Sequence, residues 1–243
     1  MSDLSKVRLG RKSVTHDPKR RAMATTLLES LPPAPLACDN TMGVSEWGMD
    51  GNDAFGDCVF AGLDHHQQVV TLDAGQRTEA GTAAVLAAYT EYTGFNRNHP
   101  STDLGANELD ILTRVMAAEQ GIFGHKLLGL ISPDPKNLDH VKKAIAYFRA
   151  VYMGCVMPIN FRGQQVWTAV ENDGGIEGGH CMVNASYTAD LIPFITWGAN
   201  QPAEWNWWLK YVDEVHILVW DTTLQLFPAA TKGTILNMLE ELN

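Results

Sequence analysis

The spacing of apolar residues changes near residue 150. Before that point apolar side chains recur every three or four positions, which predicts helices; after it, short β-branched or aromatic runs between glycine, proline or polar residues predict antiparallel strands. The predicted helices cover residues 58–72, 80–92, 107–120 and 135–148, and the predicted strands cover 150–159, 180–187, 191–197 and 214–220, with a closing helix at 231–242. Helices followed by strands predict an α+β fold with a helical lobe, a β lobe and a cleft between them.

The composition excludes several classes of protein. A chain of 243 residues with 45% hydrophobic and 19% charged residues has enough apolar material for a substantial core and is not a disordered chain. No apolar stretch approaches the roughly 20 residues that a membrane span requires. The N-terminus is charged and lacks the apolar segment of a secretory signal. These features predict a cytoplasmic protein that does not bind membranes.

The net charge of −10 is divided unevenly along the chain. Residues 1–21 carry seven basic and two acidic side chains, a net of +5, whereas the remaining residues carry 11 basic and 26 acidic side chains, a net of −15. An acidic body repels nucleic acid. The basic arm has two interpretations: it lies on the chain's own acidic body, or it contacts an acidic protein partner.

A proline-rich stretch at 31–35 separates this arm from the rest of the chain and is predicted to run extended. We therefore expect an N-terminal basic arm and linker at 1–40 and a folded domain at 41–243. Within that domain the helical lobe is expected to cover about 41–150 and the β lobe about 151–243.

The four cysteines are Cys38, Cys58, Cys155 and Cys181, and none forms a C-x-x-C pair. Zinc binding and dithiol redox chemistry are therefore poorly supported, and disulfides are not expected without a secretory signal. The sequence has no phosphate-binding loop and no dinucleotide fingerprint, so no metal or cofactor is predicted. Three of the cysteines are expected to be packed free thiols, and Cys58 is the exception.

Cys58 follows a polar, glycine-bearing loop at 51–57 and begins the first predicted helix. A thiol at a helix N-terminus lies near the positive end of the helix dipole, which favours the thiolate. His180 follows two glycines at the start of a predicted strand, where its imidazole could pair with Cys58 across the lobe boundary. The alternative is that Cys58 is a small packed side chain and His180 a hydrogen-bonded structural group.

The order of these segments resembles the papain-like cysteine peptidases. The similar segments are Asn52 with Cys58-Val59-Phe60-Ala61, Gly179-His180-Cys181-Met182-Val183, and Thr196-Trp197-Gly198. The resemblance implies a nucleophile at Cys58 and a general base, later general acid, at His180. It also implies that the Asn52 side chain donates to the oxyanion beside the backbone N–H of Cys58. Residues 52–58 are similar as well to uncharacterised bacterial and phage proteins with an Asn-Asp-x-x-Gly-Asp-Cys segment.

The sequence departs from the family at the residue that orients the histidine. The corresponding position is Ile195, whose side chain forms no hydrogen bond, and Thr196, Asn184 and Asn200 are candidate replacements. Two functions remain: a cysteine hydrolase or acyl-transferase acting on an amide or peptide bond, or a catalytically impaired fold serving as a structural or binding protein, for example in a phage particle. The second is favoured by Ile195 and by an arm that resembles an assembly tether more than an inhibitory propeptide. The first is preferred because thiol and base are both present.

Two further polar clusters are interpreted as solvent-exposed. Asp64, His65 and His66 lie on the first predicted helix, and adjacent histidines cannot share one helix face as metal ligands, so they are predicted to be helix surface. Asp213 and Glu214 precede a predicted strand and are expected at a solvated edge.

Overall fold

The computed structural model describes residue 4 and residues 7–73, 75–225, 227 and 229–241. Within these ranges the helices are α1 (Pro18–Ser30), α2 (Cys58–Asp73), α3 (Gly81–Thr93), α4 (Glu108–Ala117), α5 (Leu138–Phe148), α6 (Trp205–Tyr211), α7 (Asp221–Gln225) and α8 (Ala229–Glu240). The four helices predicted between residues 58 and 148 are confirmed, with ends shifted by at most three residues. The last position of the predicted closing helix, residue 242, lies outside the described residues. None of the described helices combines the length and the apolarity needed to cross a bilayer.

The strands form one large and one small antiparallel sheet. They are β1 (Cys38–Asp39), β2 (Glu46–Gly48), β3 (Leu127–Ile131), β4 (Val151–Pro158), β5 (Ile176–Asn184), β6 (Ser186–Tyr187), β7 (Phe194–Thr196), β8 (Gly198–Gln201) and β9 (Val212–Trp220). The seven-stranded sheet has the order β2-β8-β7-β5-β4-β9-β3, and β1 pairs with β6. The predicted α+β class is confirmed, and β4 and β5 lie at the centre of the sheet.

The division into a helical half and a strand half is less strict than the pattern predicted. β3 lies in the helical half of the sequence but pairs with β9, and α6 forms from the tryptophan-rich segment of the strand half. α1 was not predicted at all, although its start carries an ordinary signal: Asp17 caps the helix by accepting from the amides of Lys19 and Arg20, and a proline occupies the first helical position.

Two hydrophobic cores lie on opposite faces of the large sheet. Because successive side chains of a strand lie on opposite faces of the sheet, Tyr152 of β4 and Leu218 of β9 lie in the core shared with α2, α3 and α4. The intervening residues Met153 and Ile217 enter the second core, which includes residues of α1, α5 and α6. The sheet is therefore covered on both faces.

Helix α2 is buried, which corrects the prediction that Asp64, His65 and His66 form a helix surface. All three are at most 2% exposed. His65 contacts the Gly48 carbonyl at 3.0 Å through Nε2, and Nδ1 of His66 accepts from the Trp220 indole at 3.1 Å. The prediction was wrong because α2 packs against α3 as well as against β2, β4 and β5, so it has no solvent-facing side at these positions.

Gly62 allows α2 to pack closely on the sheet. A Cβ at this position would lie 3.0 Å from both the Cys181 sulfur and the Tyr152 ring. The ring has little freedom to move, because the Tyr152 hydroxyl donates to the Val59 carbonyl at 2.7 Å.

We predict that Gly62→Ala lowers the free energy of unfolding by about 1–3 kcal/mol, because overpacking outweighs the usual gain from replacing a helical glycine. Gly233→Ala in α8 is the matched control, since a Cβ there meets nothing within 4 Å. It should instead raise stability by about 0.5–1 kcal/mol. Urea unfolding of both variants provides the measurement, and equal stabilisation by both would contradict the close packing of α2.

Candidate active site

The N-terminal arm crosses the molecule between β5 and the segment that precedes α4. The Arg11 amide donates to the Gly179 carbonyl of β5 at 3.0 Å. On the other side, the Lys12 amide donates to the Ala106 carbonyl at 2.8 Å, and the Ala106 amide donates to the Gly10 carbonyl at 2.8 Å. An extended piece of the chain is therefore hydrogen-bonded to both walls of a groove.

Glycines make the close approach of the arm possible. A Cβ on Gly10 would lie 1.9 Å from the Gly56 carbonyl oxygen, and one on Gly105 would lie 1.7 Å from the Gly10 oxygen. A Cβ on Gly179 would lie 2.4 Å from the Arg11 oxygen. Because no side chain fits at these distances, the backbone of the arm packs directly against the backbone of the groove.

Cys58 lies at the start of α2, directly beneath the arm. The carbonyl of Asp57 accepts from the Ala61 amide in the first turn, so the thiol occupies the predicted helix N-terminus. The side chain is 1% exposed, and burial raises the pKa of the thiol to about 12 even though the backbone N–H groups of Cys181 and Gly10 face the sulfur and lower it. With the arm in place Cys58 is thus a neutral thiol rather than the thiolate expected from its position.

His180 lies on β5 and is fully buried. Its Nε2 is 2.7 Å from the Thr196 hydroxyl, and its ring stacks on Trp197 with centroids 4.3 Å apart. Its Nδ1 forms no hydrogen bond with any described residue. Burial lowers the pKa of His180 to about 3, so the imidazole is neutral.

Thr196 is the candidate replacement that reaches His180. The two others bond elsewhere: the Asn184 amide donates to the Pro193 carbonyl, and the Asn200 amide donates to the Val44 carbonyl at 2.9 Å. A threonine hydroxyl that accepts from Nε2–H leaves the lone pair on Nδ1, the nitrogen without a partner.

The arm connects the surroundings of Cys58 and His180. The residues on either side of His180 contact this region: the Gly179 carbonyl binds the arm, and the Cys181 amide faces the Cys58 sulfur. Among the described residues no hydrogen bond joins the His180 ring to the thiol. Both predicted groups are thus neutral, and the arm binds the residue before His180 while its Gly10 amide faces the Cys58 sulfur.

Asn52 is buried beside the loop that precedes α2. Its side-chain amide donates to the Phe55 carbonyl and to Oδ1 of Asp57, each at 3.1 Å, and its backbone carbonyl accepts from the Arg8 amide at 3.2 Å. Both amide hydrogens are therefore occupied while the arm is bound. Burial raises the pKa of Asp57 to about 8.

The other thiols have no comparable setting. Cys155 and Cys181 are buried and Cys38 is half-buried, and all four cysteines are free. Burial raises the pKa of Cys155 and of Cys181 well above the usual value. The prediction of packed free thiols is confirmed for these two.

An acidic pocket at the groove corrects a second prediction. Asp213 and Glu214 were expected at a solvated edge; the Asp213 side chain is 32% exposed, but Glu214 is 3% exposed, and both contact the Arg11 guanidinium. The prediction was wrong because β9 lies inside the sheet, between β4 and β3. The third carboxylate is Glu108, at the start of α4, for which the sequence carried no signal. Of the two interpretations of the basic arm, Arg11 follows the first: it lies on the chain's own acidic residues.

Comparison with known proteins identifies the fold. No family model matches the sequence, and no curated protein matches it. Xylellain, a cysteine protease from Xylella fastidiosa, aligns with a TM-score of 0.65 at 14% identity over 88% of this chain and 96% of its own. Procathepsin B S9 from Trypanosoma congolense aligns with a TM-score of 0.60 at 7% identity over 90% and 88% of the two chains.

The proform of the ragweed pollen cysteine protease Amb a 11 aligns with a TM-score of 0.59 at 11% identity, over 86% of this chain and 64% of its own. Likeness at these identities concerns the fold. The two-layered arrangement of α2 against β4 and β5, with Cys58 at the helix start and His180 on the strand, is the architecture that the sequence resemblance implied, and the chain has the papain-like cysteine protease fold.

Proposed function

We propose that the protein is a cysteine hydrolase or acyl-transferase that acts on an amide bond of a peptide or protein, and that its own N-terminal arm holds it latent. One observation carries the proposal: an extended peptide, residues 10–12, is hydrogen-bonded to both walls of a groove, with Gly10 against the Cys58 thiol. A groove that binds one extended peptide over a thiol has the shape required to bind another.

The proposed chemistry uses Cys58, His180 and Thr196. Nδ1 of His180 takes the proton of Cys58, the thiolate attacks the acyl carbon of the bound peptide, and the same proton is returned to the leaving amine. The acyl group then passes from sulfur to water in hydrolysis, or to an amine in acyl transfer. The Thr196 hydroxyl holds the imidazole, and the backbone N–H of Cys58 donates to the oxyanion.

Latency follows from how the arm lies on the thiol. Gly10 presents its N–H to the sulfur, while its carbonyl accepts from the Ala106 amide on the opposite wall. The arm thus covers the sulfur, and the exclusion of water keeps Cys58 and His180 uncharged. Several proteins of the same fold are described as proforms or precursors, which is consistent with a chain whose groove is closed.

The alternative function is a papain-like fold without activity that binds a protein partner through its arm. It is favoured by the engagement of Asn52 with Phe55 and Asp57, which leaves no free amide hydrogen for an oxyanion. The reactivity of Cys58 after the arm is displaced separates this alternative from the enzyme.

We predict that Gly10→Val displaces the arm and makes Cys58 the most reactive thiol, because a Cβ at that position would lie 1.9 Å from the Gly56 carbonyl. The alkylation rate of Cys58 at pH 6 should rise at least about 100-fold, since every unit by which the pKa falls increases the thiolate fraction about tenfold. Iodoacetamide labelling read by mass spectrometry resolves the four cysteines.

Ser13→Val places the same β-branched side chain at an exposed position of the arm and should leave Cys58 protected. In the Gly10→Val background, His180→Ala should abolish the low-pH reactivity, so that labelling rises only as pH approaches about 8.5, the ordinary thiol pKa. If Cys58 reacts as slowly as Cys155 and Cys181 once the arm is displaced, the proposed enzymatic function is excluded and the binding function remains.

We predict that Thr196→Val in the Gly10→Val background reduces the labelling of Cys58 at pH 6 by about 10-fold or more, because a hydrogen bond to a charged imidazolium contributes about 1.5–3 kcal/mol. Thr196→Ser keeps the hydroxyl and should restore the pH profile. Loss of reactivity in both variants would indicate a packing effect and would remove Thr196 as the residue that positions His180.

A further inference from the structure

We infer that the pocket formed by Glu108, Asp213 and Glu214 is a specificity pocket for an arginine side chain of the substrate, and that Arg11 of the arm is its occupant in the latent chain. The inference rests on the proposed function, because it names the class of peptide that the groove accepts: chains with an arginine one residue from the residue over Cys58.

The contacts of Arg11 define the pocket. Its Nε donates to Oε1 of Glu214 at 2.7 Å and lies 3.1 Å from Oε1 of Glu108, and Nη2 contacts the same Glu214 oxygen. Nη2 also lies 2.7 Å from Oδ1 of Asp213, and Nη1 donates to the Cys155 carbonyl at 3.2 Å. All three guanidinium nitrogens therefore have partners, on a side chain that is 1% exposed.

The shape of the pocket selects the guanidinium group. A Cβ on Gly154 would lie 2.1 Å from Nε of Arg11, so glycine at this point of β4 leaves the space in which the planar group lies. A lysine ammonium is compact and cannot reach carboxylates on several sides together with the Cys155 carbonyl. An apolar side chain would leave buried carboxylates without a counter-ion.

A side chain that enters the pocket from a peptide in the groove must carry a positive charge. Glu108 is fully buried, and the Arg11 guanidinium is the principal group that favours its charged form, followed by a hydrogen bond from the Cys181 side chain. Burial, followed by repulsion from Glu214, raises the pKa of Glu108 well above its usual value. Burial opposes the charge of Glu214, but contacts with His216 and Arg11 outweigh it and lower the Glu214 pKa, so the ionised Glu214 carboxylate favours a positive side chain over a neutral one.

Glu214 is held in place by a second contact. Its Oε2 is 3.2 Å from Nε2 of His216, and Nδ1 of that ring is 2.8 Å from the Ser132 hydroxyl. The carboxylate that contacts both Nε and Nη2 of Arg11 is therefore oriented before any peptide binds, which reduces the entropic cost of binding.

The pocket lies at a defined distance from the proposed reaction. Arg11 follows Gly10, whose amide faces the Cys58 sulfur, and the Arg11 backbone is fixed by the Gly179 carbonyl. An extended substrate that fills the pocket with arginine therefore places the neighbouring residue over the thiol. Arg8, two residues before Gly10, is exposed and gives a matched comparison within the same arm.

The test measures binding of a synthetic peptide with the sequence of residues 7–15 to the full-length Gly10→Val protein, by fluorescence anisotropy. Replacing the arginine that corresponds to Arg11 by leucine or citrulline should weaken binding at least about 30-fold, as expected for a buried charge pair that loses one partner. The same replacement at Arg8 should change binding by no more than about threefold. Glu214→Gln in the protein should weaken binding of the native peptide and leave binding of the leucine peptide unchanged.

Equal binding of the arginine and leucine peptides, or no binding of the native peptide, would overturn the pocket assignment. The measurement is repeated with Cys58→Ala, so it does not depend on catalysis. A second experiment incubates Gly10→Val with a peptide mixture in which each member has a single arginine, and maps products by mass spectrometry. Cleavage at a constant one-residue offset from arginine supports the inference.

The two proposals fail separately. Cleavage without regard to arginine would remove the pocket assignment and keep the enzyme. Arginine-dependent binding with no cleavage of any peptide would remove the enzyme and keep the pocket as a peptide-binding site.

Discussion

The burial of Cys58 beneath Gly10 determines the chemical state of the groove. The positive end of a helix dipole favours ionisation of a thiol at the helix N-terminus. Here the loss of water outweighs the dipole and raises the pKa of the Cys58 thiol to about 12. The same exclusion of water lowers the pKa of His180 to about 3. Proton transfer between them would create two charges in a dry site, which is unfavourable until water or a polar substrate replaces the arm.

The same burial has the opposite result one residue further along the arm. Desolvation opposes the charge of Arg11, but the carboxylates of Glu108, Glu214 and Asp213 outweigh it and hold the Arg11 pKa above its ordinary value. The arm therefore places the charged Arg11 side chain among carboxylates that compensate its charge. It places Gly10 over Cys58, where burial suppresses ionisation of the thiol. One basic residue of the first segment, Arg11, thus pairs with acidic residues of the remainder of the chain in a buried cluster.

Local features were predictable from the sequence because they depend on neighbouring residues. The glycine-bearing loop before Cys58 and the apolar spacing after it predict a helix that begins at Cys58, as α2 does. The histidine strand and the α+β class follow from similar local patterns. The arm's path was not predictable, since a net charge does not specify which acidic residues it meets, and Glu108 and Glu214 become neighbours only through the fold. Burial of His65 and His66 was missed for the same reason: α2 is covered by elements distant in sequence.

Glycine at three points explains why the arm and a substrate would compete rather than bind side by side. The arm and the groove approach each other so closely at Gly10, Gly105 and Gly179 that none of these positions accommodates a Cβ. Two chains cannot occupy such a space together. Since the arm already uses the Gly179 carbonyl and both backbone groups of Ala106, a substrate gains these hydrogen bonds only when the arm has released them. If the groove binds a peptide as proposed, access to the thiol requires the departure of Arg11 from its pocket, and a peptide with its own arginine would replace the lost ion pairs as it binds.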